Sequence, residues 1–184
     1  RLTSPDDTTT VTRNRLAAFD AVTGDLLPWD PAPNSEVRTL ASSADGSAVY
    51  VGGAFTEIGG GRADGIAAVR MTDGRNLSSF RASANCTVMA MQLIGETLFV
   101  GGCFTSVNGR WQERVGAVSA STGASVPGWD GSSDDVVYAL AAHPDGTSVI
   151  VGGRFLTLSG QSRDYIGALD VTTGAATSIC PAAR

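Results

Sequence analysis

The chain contains no lysine, one histidine and three cysteines among its 184 residues. Without lysine it can form neither a Walker-type phosphate-binding loop nor a Schiff base. One histidine and no cysteine cluster exclude an ordinary zinc site. Basic residues are also fewer than acidic ones, 13 against 18. This net negative charge argues against a nucleic-acid-binding surface. No apolar run approaches the roughly 18 residues that a membrane-spanning helix needs.

The common hydrolytic motifs are missing as well. A Ser-His-Asp triad would have to use His143, and no Gly-x-Ser-x-Gly sequence is present. His143 stands in His-Pro-Asp-Gly, which is typical of a turn. The acidic pairs Asp6-Asp7 and Asp134-Asp135 are interpreted as turn residues that accept backbone N–H groups. We expect no catalytic residue and no cofactor, and we leave weak calcium binding by the acidic loops open because oxygen ligands suffice for it.

The sequence does contain one pattern that occurs about three and a half times. The segment 51–56, Val-Gly-Gly-Ala-Phe-Thr, returns at 100–105 and 151–156. An alanine of a short apolar run and a following turn dipeptide keep the same rhythm, at Ala18, Ala68, Ala117 and Ala168 and at Thr23-Gly24, Asp73-Gly74, Thr122-Gly123 and Thr173-Gly174. A period of about 50 residues predicts stacked supersecondary units, each unable to bury its apolar face alone.

One repeat, residues 36–80, has the pattern of four short strands. Residues 36–41 alternate, 48–51 are apolar, 66–69 form a third apolar run and a fourth strand ends at Phe80. Tight turns join the first and second and the third and fourth, whereas about a dozen residues separate the second and third. This pattern predicts an all-β chain of about 3.5 four-stranded β-propeller blades. Their predicted bounds are 1–30 for the second half of a blade, then 31–80, 81–130 and 131–184.

A glycine pair ends the second strand of every full repeat, at Gly52, Gly53, Gly101, Gly102, Gly152 and Gly153. It predicts a bend or a close approach between blades, where a side chain would collide. A glycine-rich ligand loop is the weaker interpretation, since a binding loop need not recur in every blade. The aromatic position at Trp29, Phe80 and Trp129 is also periodic and predicts packing.

These motifs resemble the delta-60 repeat of bacterial β-propellers. They are similar, more distantly, to the repeat of fungal cell-polarity surface proteins. The resemblance covers nearly the whole chain and implies a propeller in a secreted or surface protein, with no shared catalytic motif. The chain departs from the pattern in the short first turn of the third repeat and at Leu156, which replaces threonine in the fourth. Arginine in place of lysine, with abundant alanine and glycine, favours a GC-rich bacterial source.

Two of the three cysteines flank the first hairpin of the third repeat. A turn centred on Ile94-Gly95 would place Cys86 directly opposite Cys103, and a turn centred on Gly95-Glu96 would make them diagonal neighbours. Either register permits a disulfide, which would favour an oxidising, extracellular compartment. Two buried free thiols are the alternative. Cys180 has no partner in this scheme.

The long loops are predicted to lie on one face of the blades. The second-to-third loops and the connections between blades share that face, and long loops on a rigid scaffold commonly carry binding sites. Trp111 lies in one of them without a counterpart in the other repeats, next to Arg110 and near Arg114. These three are the candidate binding residues, and a tryptophan folded back over the blade edge is the alternative.

The leading hypothesis is a non-catalytic, secreted propeller segment that binds a protein or a glycan through its long-loop face. A carbohydrate-active enzyme that uses loop carboxylates, and a purely structural subunit of an extracellular assembly, are the alternatives. Since propellers are typically built from 4–8 blades, we also expect further blades, from the same chain or from another. Two copies of 3.5 blades would give a seven-bladed ring.

Overall fold

The computed structural model describes residues 2–3 and 10–179, which form short strands joined by turns and loops. Within this described part there is no helix that could cross a bilayer. The strands in chain order are β1 (Leu2–Thr3), β2 (Thr10–Val11), β3 (Val37–Ser42), β4 (Ala48–Gly53), β5 (Glu57–Ile58), β6 (Gly61–Arg62), β7 (Ile66–Arg70), β8 (Val88–Ile94), β9 (Thr97–Gly102), β10 (Ser106–Val107), β11 (Arg110–Trp111), β12 (Val115–Ser119), β13 (Val137–Ala142), β14 (Ser148–Gly153), β15 (Thr157–Leu158), β16 (Gln161–Ser162) and β17 (Ile166–Asp170).

Each full repeat forms one antiparallel sheet of three main strands. The strand orders are β3-β4-β7, β8-β9-β12 and β13-β14-β17, with the strand that carries the glycine pair in the centre. The first strands of neighbouring sheets contact each other, β3 with β8 and β8 with β13. The chain is therefore all-β and consists of repeated propeller-type sheet units, as the period predicts.

The fourth strand of each unit is shorter than the sequence suggests. It consists of one bridged pair per unit, at Val69–Asn76, Val118–Ser125 and Leu169–Ala176. In the second repeat the chain pairs through Arg70 and Leu77 and then turns at once, because the Phe80 N–H donates to the Leu77 carbonyl. This turn ends the pairing and leads the aromatic residue towards the next unit.

A small hairpin fills the loop between the second and third strands, where the sequence predicted only a loop. It is formed by β5-β6, β10-β11 and β15-β16 in the three repeats. Each turn has two residues with positive φ, at Gly59-Gly60, Asn108-Gly109 and Ser159-Gly160. Two such residues in succession are the requirement of a tight two-residue hairpin turn, so the hairpin follows from these dipeptides.

The first, partial repeat is less regular. Its apolar run, residues 16–19, forms a single bridge, Phe19–Leu26, and no strand. In the later repeats the same run pairs with the glycine-pair strand, which has no counterpart among the described residues here. Asp6, Asp7 and Cys180 lie outside the described residues.

The apolar core lies between the sheets. Three clusters of buried side chains join the partial repeat to the second, the second to the third and the third to the fourth. Phe55, Phe104 and Phe155 are at most 1% exposed and belong to these clusters. They fill the space between units.

The two glycines of each pair have different neighbours. A Cβ at Gly101 would lie 2.5 Å from a methyl group of Val137 in the next sheet, and one at Gly52 would lie 2.6 Å from Thr39 of its own sheet and 2.9 Å from Val88 and Met91 of the next. A Cβ at Gly102 would instead collide with the Thr87 carbonyl oxygen of its own sheet. The first glycine thus permits blade contact, and the second permits the chain to pass its own neighbouring strand.

The periodic aromatic residues link consecutive units. Trp29 Nε1 donates to the Arg70 carbonyl at 2.8 Å, and Trp129 Nε1 donates to the Asp170 carbonyl at 3.2 Å. Phe80 has no such donor. In that interface Tyr50 packs on Phe80 with ring centroids 5.5 Å apart, and its hydroxyl donates to the Ala120 carbonyl at 2.8 Å. Trp29 and Trp129 are buried and link consecutive units, and Tyr50 makes the hydrogen bond in the interface of Phe80.

Candidate functional site

The long loops do not project freely but are tied to the connections between units. Asn85 Oδ1 accepts from the backbone N–H groups of Thr105 and Ser106, and its Nδ2 donates to the Thr105 hydroxyl, all at 2.9–3.0 Å. Asn34 makes the same contacts in the second repeat. The long-loop face is therefore a hydrogen-bonded surface rather than a set of open loops.

The fourth repeat makes this contact with Asp134, because Leu156 replaces the threonine. The Leu156 side chain has no hydroxyl that could accept a hydrogen bond, and the Asp134 carboxylate has no N–H group that could donate one. Asp134 Oδ1 accepts from the N–H groups of Leu156 and Thr157 at 3.0 Å. Asp134 and Asp135 are thus acceptors of backbone N–H groups, as predicted, since Asp135 accepts from Val136. The described residues contain no group of three or more His, Cys, Asp or Glu arranged to hold a metal ion.

Cys86 and Cys103 form a disulfide with their Cα atoms 5.6 Å apart. The pairing of Ile94 with Thr97 shows that the turn is centred on Gly95-Glu96, so the directly opposed register is wrong. A bulge between Val88 and Ala90 shifts the register near the cysteines, and the Cys103 N–H donates to the Thr87 carbonyl. The bond thus joins diagonal neighbours, and Cys86 is exposed.

The three predicted binding residues lie close together in sequence but differ in their roles. Trp111 is 70% exposed on β11, so it is not folded back over the blade edge. Arg110 contacts Asp130, with 2.7 Å between Nη2 and Oδ1. Arg114 has a φ of 62° at a position where Gly65 and Tyr165 are also left-handed, and its carbonyl accepts from the Gly102 N–H. Its backbone therefore has a structural role in the loop.

A concavity lies at the outer edge between the second and third repeats. We call it the outer groove, with a volume of about 1130 Å³. Its walls are residues 59–64 of the β5-β6 hairpin, residues 75–83 after β7, and Asn108, Ala124 and Ser125 of the third repeat. The lining includes several side-chain hydroxyls and amides, together with four arginines, at Arg62, Arg70, Arg75 and Arg81.

The outer groove is open because Ala63 has a short side chain. Ala63, Gln112 and Arg163 occupy equivalent positions, since their N–H groups donate to Thr56, Thr105 and Leu156. Arg163 reaches the Thr177 carbonyl at 2.7 Å, and Gln112 reaches the Gly131 carbonyl at 3.3 Å.

The partial repeat fills the same place with Arg13, which donates to the Leu27 carbonyl at 3.1 Å. Leu27, Leu77 and Thr177 are equivalent, because their N–H groups donate to Ala18, Ala68 and Ala168. Ala63 is too short to reach the Leu77 carbonyl. This position is therefore occupied by a long polar side chain in three repeats and by alanine in the second.

A second concavity of about 540 Å³ continues from the outer groove towards the long-loop face. Asp64 and Ser83 line both, so the two form one trough along the boundary between the repeats. The second concavity ends beside Cys86 and Asn85. Asp64 is the one carboxylate in the lining of either concavity, whereas glycoside hydrolysis commonly uses a pair.

The sequence analysis did not identify the outer groove. Ala63 lies in the predicted long loop, and its importance depends on the side chains at the equivalent positions, which become visible only when the loops are superposed by their hydrogen bonds. The signal in the sequence lies three residues before the third apolar run of each repeat. This position is occupied by Arg13, Ala63, Gln112 and Arg163, so the second repeat has alanine where the others have a long polar residue.

Comparisons with known proteins yield structural likeness only. No family model matches the chain, and no curated protein matches it. Among solved structures, Kuenenia stuttgartiensis hydrazine synthase is 15% identical with a TM-score of 0.61, over 88% of this chain and 41% of that one.

Two computationally designed proteins are also similar. Ika8 is 18% identical with a TM-score of 0.55, over 87% of this chain and 54% of its own. Ika4 is 18% identical with a TM-score of 0.52, over 80% of this chain and 74% of its own. The chain thus spans about half or less of the first two structures. At these identities the likeness concerns the fold, and it places the chain among all-β proteins built of repeated, propeller-type sheet units.

Proposed function

We propose that the chain is a non-catalytic, secreted propeller segment that binds a glycan in the outer groove. The observation that carries the proposal is this groove beside Ala63, at a position where the other repeats carry Arg13, Gln112 and Arg163, long side chains that donate to backbone carbonyls. A concave site of this size lined by hydroxyls, amides and charged groups suits a polar ligand.

The secreted location and the family are part of the same proposal. The Cys86–Cys103 disulfide supports an oxidising compartment, since such bonds rarely persist in the cytosol. The repeat pattern supports membership of the delta-60 type of bacterial β-propeller. Gly152 and Ile166 on the fourth sheet are half-buried, whereas Gly101 and Val115 at the equivalent places are buried, and further blades would pack on that face.

The alternatives predict other features. A carbohydrate-active enzyme would need a second carboxylate near Asp64, and the lining of the trough supplies none. A protein partner on the long-loop face would use Trp111, Arg110 and Arg114, because a well-exposed tryptophan is a common anchor at protein interfaces.

The test is to fill the groove with a side chain that another repeat carries at the position of Ala63. Ala63→Gln copies the third repeat and adds no charge. We expect saturable binding of at least one of cellohexaose, xylohexaose and hexagalacturonate in calorimetry, and loss of that binding in Ala63→Gln. Circular dichroism and the melting temperature, Tm, verify that the variant folds.

Trp111→Ala is the matched control, since it alters the long-loop face and leaves the outer groove intact. Binding that survives Ala63→Gln and is lost in Trp111→Ala would move the site to the long-loop face. Absence of binding to these three sugars and to dextran sulfate would overturn the glycan proposal. New reducing ends from any of them would overturn the non-catalytic one.

A further inference from the structure

We infer that the outer groove selects a polyanionic glycan, one that carries carboxylate or sulfate groups along its chain. The inference rests on the proposed function, because it names the ligand class of the same groove. It begins from the four arginines in the lining of a chain whose formal net charge is −5.

The other repeats provide an internal comparison for these positions. The backbone N–H of Arg70 donates to the backbone carbonyl of Arg75. The same backbone bond joins Asp20 to Asp25, Ser119 to Ala124 and Asp170 to Ala175 in the other repeats, so these residues occupy equivalent positions. Two arginines of the second repeat therefore stand where the others have acidic or neutral residues. The shared backbone geometry does not require arginine at either position.

The remaining two positions follow the same rule. The Arg81 N–H donates to Thr122 as that of Asp130 donates to Thr173, so arginine replaces aspartate. Arg62 pairs with Glu57 across its hairpin as Trp111 pairs with Ser106 and Ser162 with Thr157. All four arginines line the one groove, between the second repeat and the start of the third.

Neighbouring carboxylates satisfy these arginines only in part. Asp73 lies 2.8 Å from Arg70 and 4.0 Å from Arg75, and Asp64 lies 3.3 Å from Arg62. In the described residues no carboxylate lies within 4.0 Å of Arg81, whose Nε donates to the Ser78 carbonyl. The side chains of Arg62 and Arg75 are 82% and 76% exposed, so their guanidinium groups retain free donors for a ligand.

The rest of the lining favours a sugar over an acidic peptide. Ser78 and Ser79 offer hydroxyl groups that match sugar hydroxyls. Arginine forks bind planar carboxylates and sulfates in two-pronged fashion. Because arginine clusters also recognise acidic peptides, an acidic peptide is the competing ligand that the experiment below includes.

The experiment compares matched ligands by calorimetry, in a chelating buffer that removes calcium. Hexagalacturonate is compared with its methyl ester, and dextran sulfate with dextran, so that charge changes while the sugar skeleton stays. Polyglutamate represents an acidic peptide. We expect binding of the charged member of at least one pair, weakening with added salt, and no binding of the uncharged members.

The variants copy residues that other repeats carry at the same positions. Arg62→Ser copies Ser162, Arg75→Ala copies Ala175, and we expect roughly a tenfold loss of affinity for each, since charge-assisted hydrogen bonds are among the stronger ones. Arg38→Ala removes an arginine from β3, outside the groove, and should leave the affinity unchanged.

The outcomes separate the inference from the proposed function. Equal binding of a charged ligand and its uncharged partner, blocked by Ala63→Gln, would overturn the inference and leave the groove as a glycan site. Polyglutamate bound as tightly as the charged glycan would overturn the glycan class. Charged ligands that bind all three arginine variants equally would place the anion site elsewhere, and the absence of any binding would overturn both.

Discussion

Arg154 contacts Asp135 in the fourth repeat at the place where Cys103 is bonded to Cys86 in the third. The distance between Nε and Oδ2 is 2.9 Å, and hydrogen bonds from Arg154 lower the pKa of Asp135 below its usual range. The backbone equivalence is exact in its hydrogen bonds, because Arg154 donates to Val136 as Cys103 donates to Thr87. The same pair of positions is therefore joined by a disulfide in the third repeat and by an ion pair in the fourth.

The two joints should differ strongly in what they contribute to stability. The disulfide closes a loop of 17 residues, which in the chain-entropy model stabilises the fold by about 3 kcal/mol. The Arg154 side chain is 65% exposed, so solvent screens its ion pair. We expect the double change of Cys86 and Cys103 to serine to lower the Tm much more than Arg154→Ala does. Alkylation with mass measurement verifies the bond first, and labelling of both thiols without reductant would contradict it.

The second glycine of a pair should be far less replaceable than the lone histidine. A side chain at Gly102 meets the Thr87 carbonyl oxygen, so Gly102→Val should cost several kcal/mol, roughly the 3–5 kcal/mol of severe core changes. His143 lies in a surface turn, where its Nδ1 is 2.8 Å from Asp145, and His143→Ala should change stability little. Urea unfolding of both variants is the measurement. Similar midpoints would mean that the role of the glycine pair has been misread.

The repeat rhythm made the sheets predictable, because glycine pairs, turn glycines and apolar runs each have a local steric cause. The β5-β6 hairpin has an equally local cause in Gly59-Gly60, but the sequence predicts only a loop there because the surrounding residues have little β pattern. The role of Tyr50 was hidden, because its bond to Ala120 joins residues 70 positions apart. The outer groove could not be predicted from any one residue, since it results from the shortness of Ala63 relative to side chains in other repeats.

The hydrogen bond that the Tyr50 hydroxyl makes across the interface can be replaced by one from a tryptophan at position 80. Tyr50→Phe removes the hydroxyl and leaves the Ala120 carbonyl without that donor, a loss of about 1–2 kcal/mol for a buried hydrogen bond. Adding Phe80→Trp should restore part of the lost stability, because tryptophan at the equivalent positions donates to the Arg70 and Asp170 carbonyls, which correspond to the Ser119 carbonyl beside Ala120. A cavity of about 380 Å³ beside Phe80 provides room for the larger ring.

Phe80→Leu in the same Tyr50→Phe background is the matched control, since it changes the packing and brings no donor. Denaturant unfolding compares the variants. Equal recovery in the leucine and tryptophan variants would show that packing, and not the N–H group, accounts for the effect.

Acid should destabilise the fold through its turn carboxylates. Hydrogen bonds from the Ser43 side chain and from Ser47 lower the pKa of Asp45 to about 2, and those from the Thr147 backbone and the His143 side chain lower that of Asp145 to about 2. An unfolded aspartate titrates near 3.9, so between these values the unfolded chain binds more protons than the folded one. Stability from these groups is therefore complete above about pH 5 and declines as the pH falls from about 4 to 2.

The Tm at pH 6, 4, 3 and 2 measures this dependence. Changing both Asp45 and Asp145 to asparagine should make the decline shallower without abolishing it, because the pKa values of Asp20, Asp73 and Asp170 are also lowered by turn hydrogen bonds. An unaltered slope in the double variant would exclude the two turns as its source.

The first glycine of the pair should respond to its neighbour rather than to its own conformation. A Cβ at Gly101 would lie 2.5 Å from Val137, whereas at Gly152 the nearest atom is the Ala139 Cβ at an ordinary 3.6 Å. Gly101→Ala should therefore cost about 1–3 kcal/mol, as overpacked cores do. Gly152→Ala should be neutral or slightly stabilising, because alanine restricts the unfolded chain more than glycine does. Denaturant unfolding of the two variants decides, and Val137→Ala should relieve Gly101→Ala if the clash is the cause. A similar loss at both glycines would place the cause in the backbone of the strand instead of the contact between sheets.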